Sequence, residues 1–161
     1  MPFPEVGSKA PDFEVTTESG ETVKLSDFYG KKVVLYFYPK SDTPGCTTQA
    51  CAFRDHYAAF AQRDVIVLGA SPDTVEAQKA FKEKYKLPFT LLADADHMVA
   101  DVYGVWGDHT VKFGDKDFDY TGVRRSTLVI GPDGTVLDAR WGVDPANDSE
   151  AVLAILDENG A

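Results

Sequence analysis

Two apolar segments, each followed by a helix-like pattern, constrain the fold of this chain more than any other feature. The runs KKVVLYFY (31–38) and DVIVLGAS (64–71) are almost continuously apolar, which is typical of strands buried on both faces. After the first run, apolar side chains recur at three- and four-residue steps, as on the inward face of a helix: Ala50, Phe53, Tyr57 and Phe60. This alternation predicts an α/β fold with a mainly parallel sheet centre.

The two ends of the chain are expected to add antiparallel strands. Short strands are predicted near residues 12–16 and 22–25, joined by a turn at Ser19-Gly20. The segment RSTLVIGPDGTVLDARWG (125–142) predicts a second β-hairpin around the turn GPDG, and a capped helix is expected after it. The prediction is therefore a central mixed β-sheet flanked by helices, with an N-terminal β-hairpin.

The middle of the chain contains a capped helix and a long polar segment. Asp73 and Glu76 have the spacing of a capping box, so a helix is expected from there to about Tyr85. A short strand is predicted in LPFTLLAD (87–94), followed by a short helix. The segment WGDHTVKFGDKDFDYTGVRR (106–125) is rich in Gly and Asp and predicts an ordered surface loop.

Length and charge narrow the class of protein. A chain of 161 residues without a linker or repeat predicts one domain, residues 1–161. The net charge of −10 argues against nucleic-acid binding, which needs clustered Lys and Arg. No apolar run approaches the roughly 18 residues that cross a membrane. The start, MPFPEVGSKAPDF, lacks the basic and apolar regions of a secretory signal, so a cytoplasmic protein is expected.

The two cysteines of the chain, Cys46 and Cys51, lie five residues apart just after the first apolar run. Two are too few for a disulfide framework, and a reducing cytosol disfavours a permanent bridge. Such a pair indicates redox chemistry or metal binding. A thiol in the first turn of a helix faces unpaired N–H groups and the positive end of the helix dipole, which favour a thiolate. Pro44 and Gly45 suit a tight entry to that helix, and Thr43 lies within hydrogen-bonding reach of the thiol.

Ionisation alone can raise the reaction rate of such a thiol only to a limited extent. An ordinary cysteine is roughly 3% thiolate at pH 7, so complete ionisation raises its rate by at most about 30-fold. Nucleophilicity falls as a thiol becomes more acidic, which cancels part of this gain. We therefore expect fast thiol chemistry to need donors that stabilise the transition state, such as Thr43, backbone N–H groups and a guanidinium.

Helix geometry keeps the two cysteines apart. Five helical residues rise about 7.5 Å and turn about 140°, which separates the Cα atoms by roughly 8.5 Å. A disulfide needs a Cα separation below about 7 Å. If Cys46 and Cys51 bond to each other, the helix must first unwind.

The string YPKSDTPGCTTQACAFRD (38–55) resembles the active-site segment of the bacterioferritin comigratory protein, or peroxiredoxin Q, branch of the peroxiredoxins. Pro39, Thr43 and Cys46 match its Pro-x-x-x-Thr-x-x-Cys signature, and residues 43–51 match TPGCTxQAC. The similarity continues through PFTLLADADHMVADVYGVWG and RRSTLVIGPDG, so it covers nearly the whole chain. The resemblance implies a thioredoxin-like fold and reduction of hydroperoxides by thiol chemistry, without metal, flavin or haem.

The resemblance also implies roles for particular residues. Cys46 would be the peroxidatic cysteine and Cys51 the resolving one, joined in an intramolecular disulfide that thioredoxin or a similar dithiol reduces. Pro39 and Pro44 would shield the site, and Gln49 matches a polar position of the active-site network. Because both thiols lie on one chain, no partner subunit is needed and a monomer is expected.

Two further residues are implied to bind the peroxide oxygens, Thr43 and Arg125. Arg125 is assigned because it precedes the tripeptide STL, although Leu128 stands where the family usually has Phe. The neighbouring Arg124 leaves open a shift of one residue in this assignment.

Other interpretations of the cysteine pair compete with the peroxidase. A zinc site built from Cys46, Cys51 and His56 lacks a fourth ligand at usable spacing. A disulfide oxidoreductase of the thioredoxin type is expected to show Cys-x-x-Cys, which is absent. A non-enzymatic redox sensor would react with peroxide too slowly for turnover. The dispersed His56, His97 and His109 are expected to be surface or packing residues.

Overall fold

A computed structural model describes residues 3–113 and 115–158 of the chain. The strands are β1 (Glu14–Thr17), β2 (Thr22–Lys24), β3 (Lys32–Phe37), β4 (Val65–Ser71), β5 (Thr90–Ala93), β6 (Trp106–Phe113), β7 (Lys116–Val123), β8 (Ser126–Ile130) and β9 (Val136–Trp141). The helices are α1 (Pro44–Asp55), α2 (Tyr57–Gln62), α3 (Val75–Tyr85), α4 (Met98–Val102) and α5 (Asp148–Glu158), with a 3-10 turn at Leu25–Phe28.

Seven of these strands form one mixed sheet in the order β2-β1-β5-β4-β3-β8-β9. The central strands β3, β4 and β5 are parallel, because helical connections return the chain to the same edge of the sheet. Antiparallel pairs flank this centre, β1 with β5 on one side and β3 with β8 on the other. The predicted central mixed sheet and the N-terminal hairpin β1–β2 are confirmed.

The apolar character of β3 follows from its position at the middle of the sheet. Val33, Leu35 and Phe37 pack into the core on one face. Val34 and Tyr36 alternate with them and pack into the core on the opposite face. A strand that is covered on both sides has no solvent face, and the run is apolar throughout for that reason.

Most helices cover the face of the sheet on which Tyr36 lies. Phe53 of α1, Phe81 of α3 and Leu156 of α5 all join that core, and Cys46 is part of it. The short helix α4 covers the other face with Val99. The peroxidatic candidate is thus embedded in the helical layer, at the end of β3 from which the chain enters α1.

The helical pattern after β3 was predicted as one helix, and this prediction is wrong. The chain forms two helices, α1 and α2, which are separated at His56, whose φ is −96° and ψ is 6°. The His56 ring bonds Ser149 of α5, Nδ1 to Oγ at 2.8 Å. The apolar spacing continues across the break because both helices face the same core, so periodicity alone does not reveal it.

The predicted surface loop at 106–125 is also a misassignment, because the segment forms the antiparallel pair β6–β7. Cross-strand hydrogen bonds link its polar side chains, Thr110 to Asp119 and Thr121 to Asp108, each at 2.6 Å. Gly and Asp have low β-propensity, so the sequence does not look like a strand. Side-chain pairs between the two strands compensate for this and stabilise the hairpin.

The expected capping box of α3 is replaced by another arrangement. The N-cap is Thr74, whose hydroxyl accepts a hydrogen bond from the N–H of Ala77 at 3.1 Å. The Asp73 carboxylate instead accepts from the Ser41 N–H at 2.8 Å and from the Ser71 hydroxyl. Asp73 therefore ties the loop before Cys46 to the end of β4.

The prediction of a single domain over residues 1–161 stays a prediction, since its first two and last three residues and Gly114 lie outside the described part. The shared sheet favours it, because strands from the N-terminal hairpin and from the C-terminal hairpin belong to the same seven. Within the described residues, no helix combines the length and the apolar character needed to cross a bilayer.

Candidate active site

Cys46 lies in the first turn of α1, directly where the chain leaves the central sheet. Thr43 is the N-cap residue and Pro44 occupies the first turn, where the missing N–H of proline costs no hydrogen bond. The Thr43 carbonyl accepts from the N–H of Thr47 at 2.8 Å and so closes the first helical turn. The Cys46 side chain is only 1% exposed, which places its sulfur in a sheltered environment close to the helix N-terminus.

Arg125 approaches Cys46 from the junction between β7 and β8. Its Nη2 donates to Cys46 Sγ at 3.4 Å, and its Nη1 donates to Gln49 Oε1 at 2.8 Å. A Cβ at Gly45 would lie 3.0 Å from Nη2, so the glycine leaves room for the guanidinium. The structure thus brings together a thiol and a fixed cation that are 79 residues apart in sequence.

The neighbouring Arg124 points elsewhere. Its guanidinium lies against Gly142, where an added Cβ would come within 2.5 Å of Nη2. Its backbone N–H bonds the Val105 carbonyl at 2.8 Å. Arg125, rather than Arg124, is the arginine that contacts Cys46.

The Thr43 hydroxyl is placed near the thiol in sequence but donates to the Lys40 carbonyl, at 2.8 Å. The expected bond from Thr43 to the Cys46 thiol is not among the hydrogen bonds of the described residues. The Thr43 hydroxyl oxygen can still accept a hydrogen bond from a bound ligand that carries an O–H group. Pro39 is half-buried next to the loop, whereas Pro44 is exposed at the start of α1.

The loop that carries Thr43 is anchored by acidic residues which the sequence did not single out as functional. Asp42 has a left-handed backbone, with φ of 58°. Its carboxylate accepts from Lys84 Nζ at 2.9 Å and from the Tyr85 hydroxyl at 2.8 Å, both at the end of α3. Together with the Asp73 contact, these bonds fix both sides of the turn that leads into α1.

Gln49, one turn after Cys46, is fully buried and links the site to α5. Its Nε2 donates to Asp148 Oδ2 at 3.0 Å, and the Thr127 hydroxyl donates to the same oxygen at 2.6 Å. Burial raises the pKa of Asp148 above its usual range, and the hydrogen bonds from Thr127 and Gln49 offset part of that rise. Arg125, Gln49, Asp148 and Thr127 thus form one continuous polar network behind the thiol.

Cys51 is half-buried in the same helix, and both cysteines are free thiols. Because α1 extends from Pro44 to Asp55, the two positions keep the helical separation of roughly 8.5 Å between Cα atoms. In this conformation a direct bond between them is excluded by geometry.

The three histidines each have a structural partner. His97 Nδ1 contacts Asp101 Oδ2 at 2.8 Å and its ring stacks on Trp106, while His109 Nε2 contacts the carbonyls of Val105 and Gly122 at 3.0 and 3.1 Å. In the described part of the chain, no three His, Cys, Asp or Glu side chains are grouped so as to hold a metal ion.

Known proteins share both the sequence and the fold. The AhpC/TSA family model matches residues 6–139. The peroxiredoxin Bcp of Bacillus subtilis is 50% identical over 133 residues, which cover 83% of this chain and 82% of the relative. The peroxiredoxin Bcp of Escherichia coli is 41% identical over 155 residues, which cover 96% of this chain and 97% of the relative.

A solved structure extends the comparison to three dimensions. The bacterioferritin comigratory protein of Xanthomonas campestris superimposes with a TM-score of 0.86 at 28% sequence identity, covering 98% of this chain and 100% of the other. Peroxiredoxins of this kind have the thioredoxin-like fold, which confirms the predicted fold class. Family match, sequence identity and superposition agree over most of the length, so this chain belongs to the AhpC/TSA family and, within it, to the Bcp or peroxiredoxin Q peroxiredoxins.

Proposed function

We propose that Cys46 is the peroxidatic thiol of a peroxidase that reduces hydrogen peroxide and organic hydroperoxides. Membership of the peroxiredoxins implies thiol-dependent peroxidase and antioxidant activity. The observation that carries the assignment to Cys46 is the 3.4 Å contact between its sulfur and Arg125 Nη2. The bacterioferritin comigratory protein of Xanthomonas campestris has alkyl peroxide reduction activity, which supports organic hydroperoxides as substrates.

The geometry supports a two-electron displacement at the peroxide. The Cys46 thiolate attacks the terminal oxygen, the O–O bond breaks, and the departing alkoxide or hydroxide takes up a proton and leaves as alcohol or water. Cys46 becomes a sulfenic acid. Arg125 stabilises the negative charge that develops on the departing oxygen, and Thr43 accepts a hydrogen bond from the protonated oxygen of the hydroperoxide.

Cys51 is proposed to resolve the sulfenic acid. Its thiolate attacks the Cys46 sulfur, the S–O bond breaks, hydroxide departs and takes up a proton from solvent to leave as water, and a Cys46–Cys51 disulfide forms. A dithiol such as thioredoxin then reduces the disulfide by two thiol–disulfide exchange steps. Since both thiols lie on one chain, the cycle needs no second subunit. A monomer in the cytoplasm is proposed on this ground and because a reducing compartment regenerates the thiols.

Stopped-flow mixing of the reduced protein with hydrogen peroxide tests the proposal. Rapid loss of one thiol pair per equivalent of peroxide, followed by turnover when thioredoxin and its reductase are added, is the expected result. A disulfide oxidoreductase would instead exchange disulfides without consuming peroxide. A redox sensor would oxidise slowly and show no turnover.

Replacing Cys51 with serine separates the first chemical step from the second. Cys51→Ser should consume about one equivalent of peroxide at an undiminished rate and then stall as a sulfenic acid when thioredoxin is the reductant. Mass spectrometry should find one added oxygen on Cys46. A small thiol such as dithiothreitol serves as the control, because it can reach the sulfenate and restore turnover. Sustained turnover with thioredoxin would show that Cys51 is not the resolving thiol.

Disulfide formation should unwind the first part of α1 and leave the rest in place. Phe53 stacks on Tyr36 with ring centroids 4.6 Å apart, and Phe60 of α2 is fully buried beside it, so these residues hold the later turns. About two turns of hydrogen bonds, each worth around 1 kcal/mol net, are lost in the unwinding and partly offset by the new bond.

Hydrogen exchange measures this change directly. We expect residues 45–52 to lose protection in the disulfide form. Residues 57–61, whose helical carbonyl partners lie at or after Phe53, should remain protected in both states. The Cys46–Cys51 bond is to be verified by mass spectrometry in the same sample. Equal protection of 45–52 before and after oxidation would show that this segment is not helical in the reduced protein and would contradict the prediction.

A further inference from the structure

Asp148 is an acidic residue in an unusual position for the start of a helix. An aspartate there normally faces solvent or caps its own helix. Asp148 is instead 2% exposed, and its carboxylate reaches away from α5 to Gln49 of α1 and Thr127 of β8. Burying a carboxylate is costly unless its hydrogen bonds are supplied, so these contacts are part of what makes the arrangement stable.

The hydrogen bonds in this network run in one direction. Arg125 Nη1 donates to Gln49 Oε1, and Gln49 Nε2 donates to Asp148 Oδ2. An amide has one accepting end and one donating end, whereas an ionised carboxylate only accepts. Asp148 therefore selects the orientation of Gln49 in which the amide oxygen faces the guanidinium. With the amide turned around, two donors would face each other.

The guanidinium has little freedom once Gln49 is oriented. Nη1 is held by Gln49, and the other terminal nitrogen, Nη2, is thereby directed at Cys46 Sγ at 3.4 Å. Gln49 itself is 0% exposed, so water does not compete for its amide. The position of the cation relative to the thiol thus depends on an acceptor that lies two hydrogen bonds away, on a different helix.

We propose that Asp148 is a positioning residue for the reaction at Cys46, which aims the Arg125 guanidinium through Gln49 without touching the peroxide. The proposal rests on the proposed function, in which Cys46 is the peroxidatic thiol. Thr127 supports Asp148 by donating to the same oxygen as Gln49, which fixes the carboxylate from the sheet side.

The test compares Asp148→Ala with Asp148→Asn. The alanine variant removes the acceptor and should slow oxidation of Cys46 by peroxide on the order of 10-fold, as expected for a small misplacement of a catalytic group. The asparagine variant keeps an acceptor oxygen at the Oδ2 position and should recover most of the rate. Alkylation of Cys46 by iodoacetamide, which forms no peroxide-like transition state, should change much less than the reaction with peroxide.

Ser149→Ala is the matched control. Ser149 is the next residue of α5, is also fully buried, and also connects α5 to the α1–α2 region, but its partner is His56 rather than Gln49. If Asp148 acted only by attaching α5, the two alanine variants would slow peroxide reduction equally. That result would overturn the proposal.

A double-mutant cycle identifies the route of the effect. In an Arg125→Ala background, Asp148→Ala should cause no further loss, because the group that it positions is already gone. Additive losses would show that Asp148 acts independently of Arg125 and would overturn the proposal. If Asp148→Ala does not fold, Thr127→Val can replace it, because it removes the hydroxyl that donates to Asp148 Oδ2. The slower peroxide reaction of Thr127→Val should likewise disappear in the Arg125→Ala background.

The wild-type protein and Cys46→Ser are measured in the same series. A wild-type protein that does not react with peroxide would overturn the proposed function, and the inference with it. A reactive wild-type protein with an unchanged Asp148→Ala variant would overturn the role of Asp148 alone.

Discussion

Cys46→Ser is expected to abolish peroxide consumption altogether. A serine hydroxyl is not ionised near pH 7, and the groups that contact residue 46, a guanidinium and the helix N-terminus, cannot act as a base toward it. The other cysteine cannot take its place, because Cys51 lies roughly 8.5 Å away along the helix and away from the Arg125 contact. Peroxide consumption is followed in stopped-flow and steady-state assays.

The Cys51→Ser variant is the matched control for this experiment. Both variants carry one serine in place of one cysteine in α1. Only Cys51→Ser should still consume about one equivalent of peroxide. Circular dichroism and thermal unfolding of Cys46→Ser should remain close to those of the wild-type protein, because serine is only slightly smaller than cysteine and is well tolerated at a helix start. Full activity in Cys46→Ser would contradict the assignment of the nucleophile.

Local patterns were sufficient to predict the strands β3 and β4 and a helix start just before Cys46. A run that is apolar at every position has few alternatives to a strand covered on both faces, and Pro44-Gly45 suits entry to a helix. The contact between Arg125 and Cys46 could not be predicted from local patterns. The two residues are 79 positions apart, so spacing could not reveal the contact, and it was expected only through the resemblance to peroxiredoxins.

The features that were not predicted depend on side-chain contacts that local sequence patterns do not reveal. Gln49 and Asp148 are 99 positions apart, and the sequence around Asp148 indicates only a capped helix start. The break at His56 is stabilised by Ser149, and the hairpin β6–β7 is stabilised by cross-strand Thr–Asp pairs. Gln49 and His56 bond residues of α5 that are more than 90 positions away, while the Thr–Asp pairs join neighbouring strands of one hairpin. In each case these side-chain contacts outweigh the local propensity of the sequence.

Arg125→Ala should slow oxidation of Cys46 by more than any change in thiol ionisation can explain. Full ionisation of an ordinary thiol is worth at most about 30-fold near pH 7. In the proposed mechanism Arg125 also stabilises charge on the departing oxygen, so the expected loss is on the order of 10²-fold. The measurement is the second-order rate constant for the reaction with hydrogen peroxide, determined across the pH range in which the thiol ionises.

The pH series separates the two contributions of Arg125. If the arginine acted only by favouring the thiolate, the variant would regain the wild-type rate at high pH, where the thiol ionises without help. Because the proposed mechanism also gives the guanidinium a role at the departing oxygen, we expect a deficit in the rate constant to persist at high pH. Arg124→Ala is the matched control and should be mild, since its guanidinium lies against Gly142 rather than Cys46. A large loss in Arg124→Ala with a small one in Arg125→Ala would show that the other arginine serves the thiol.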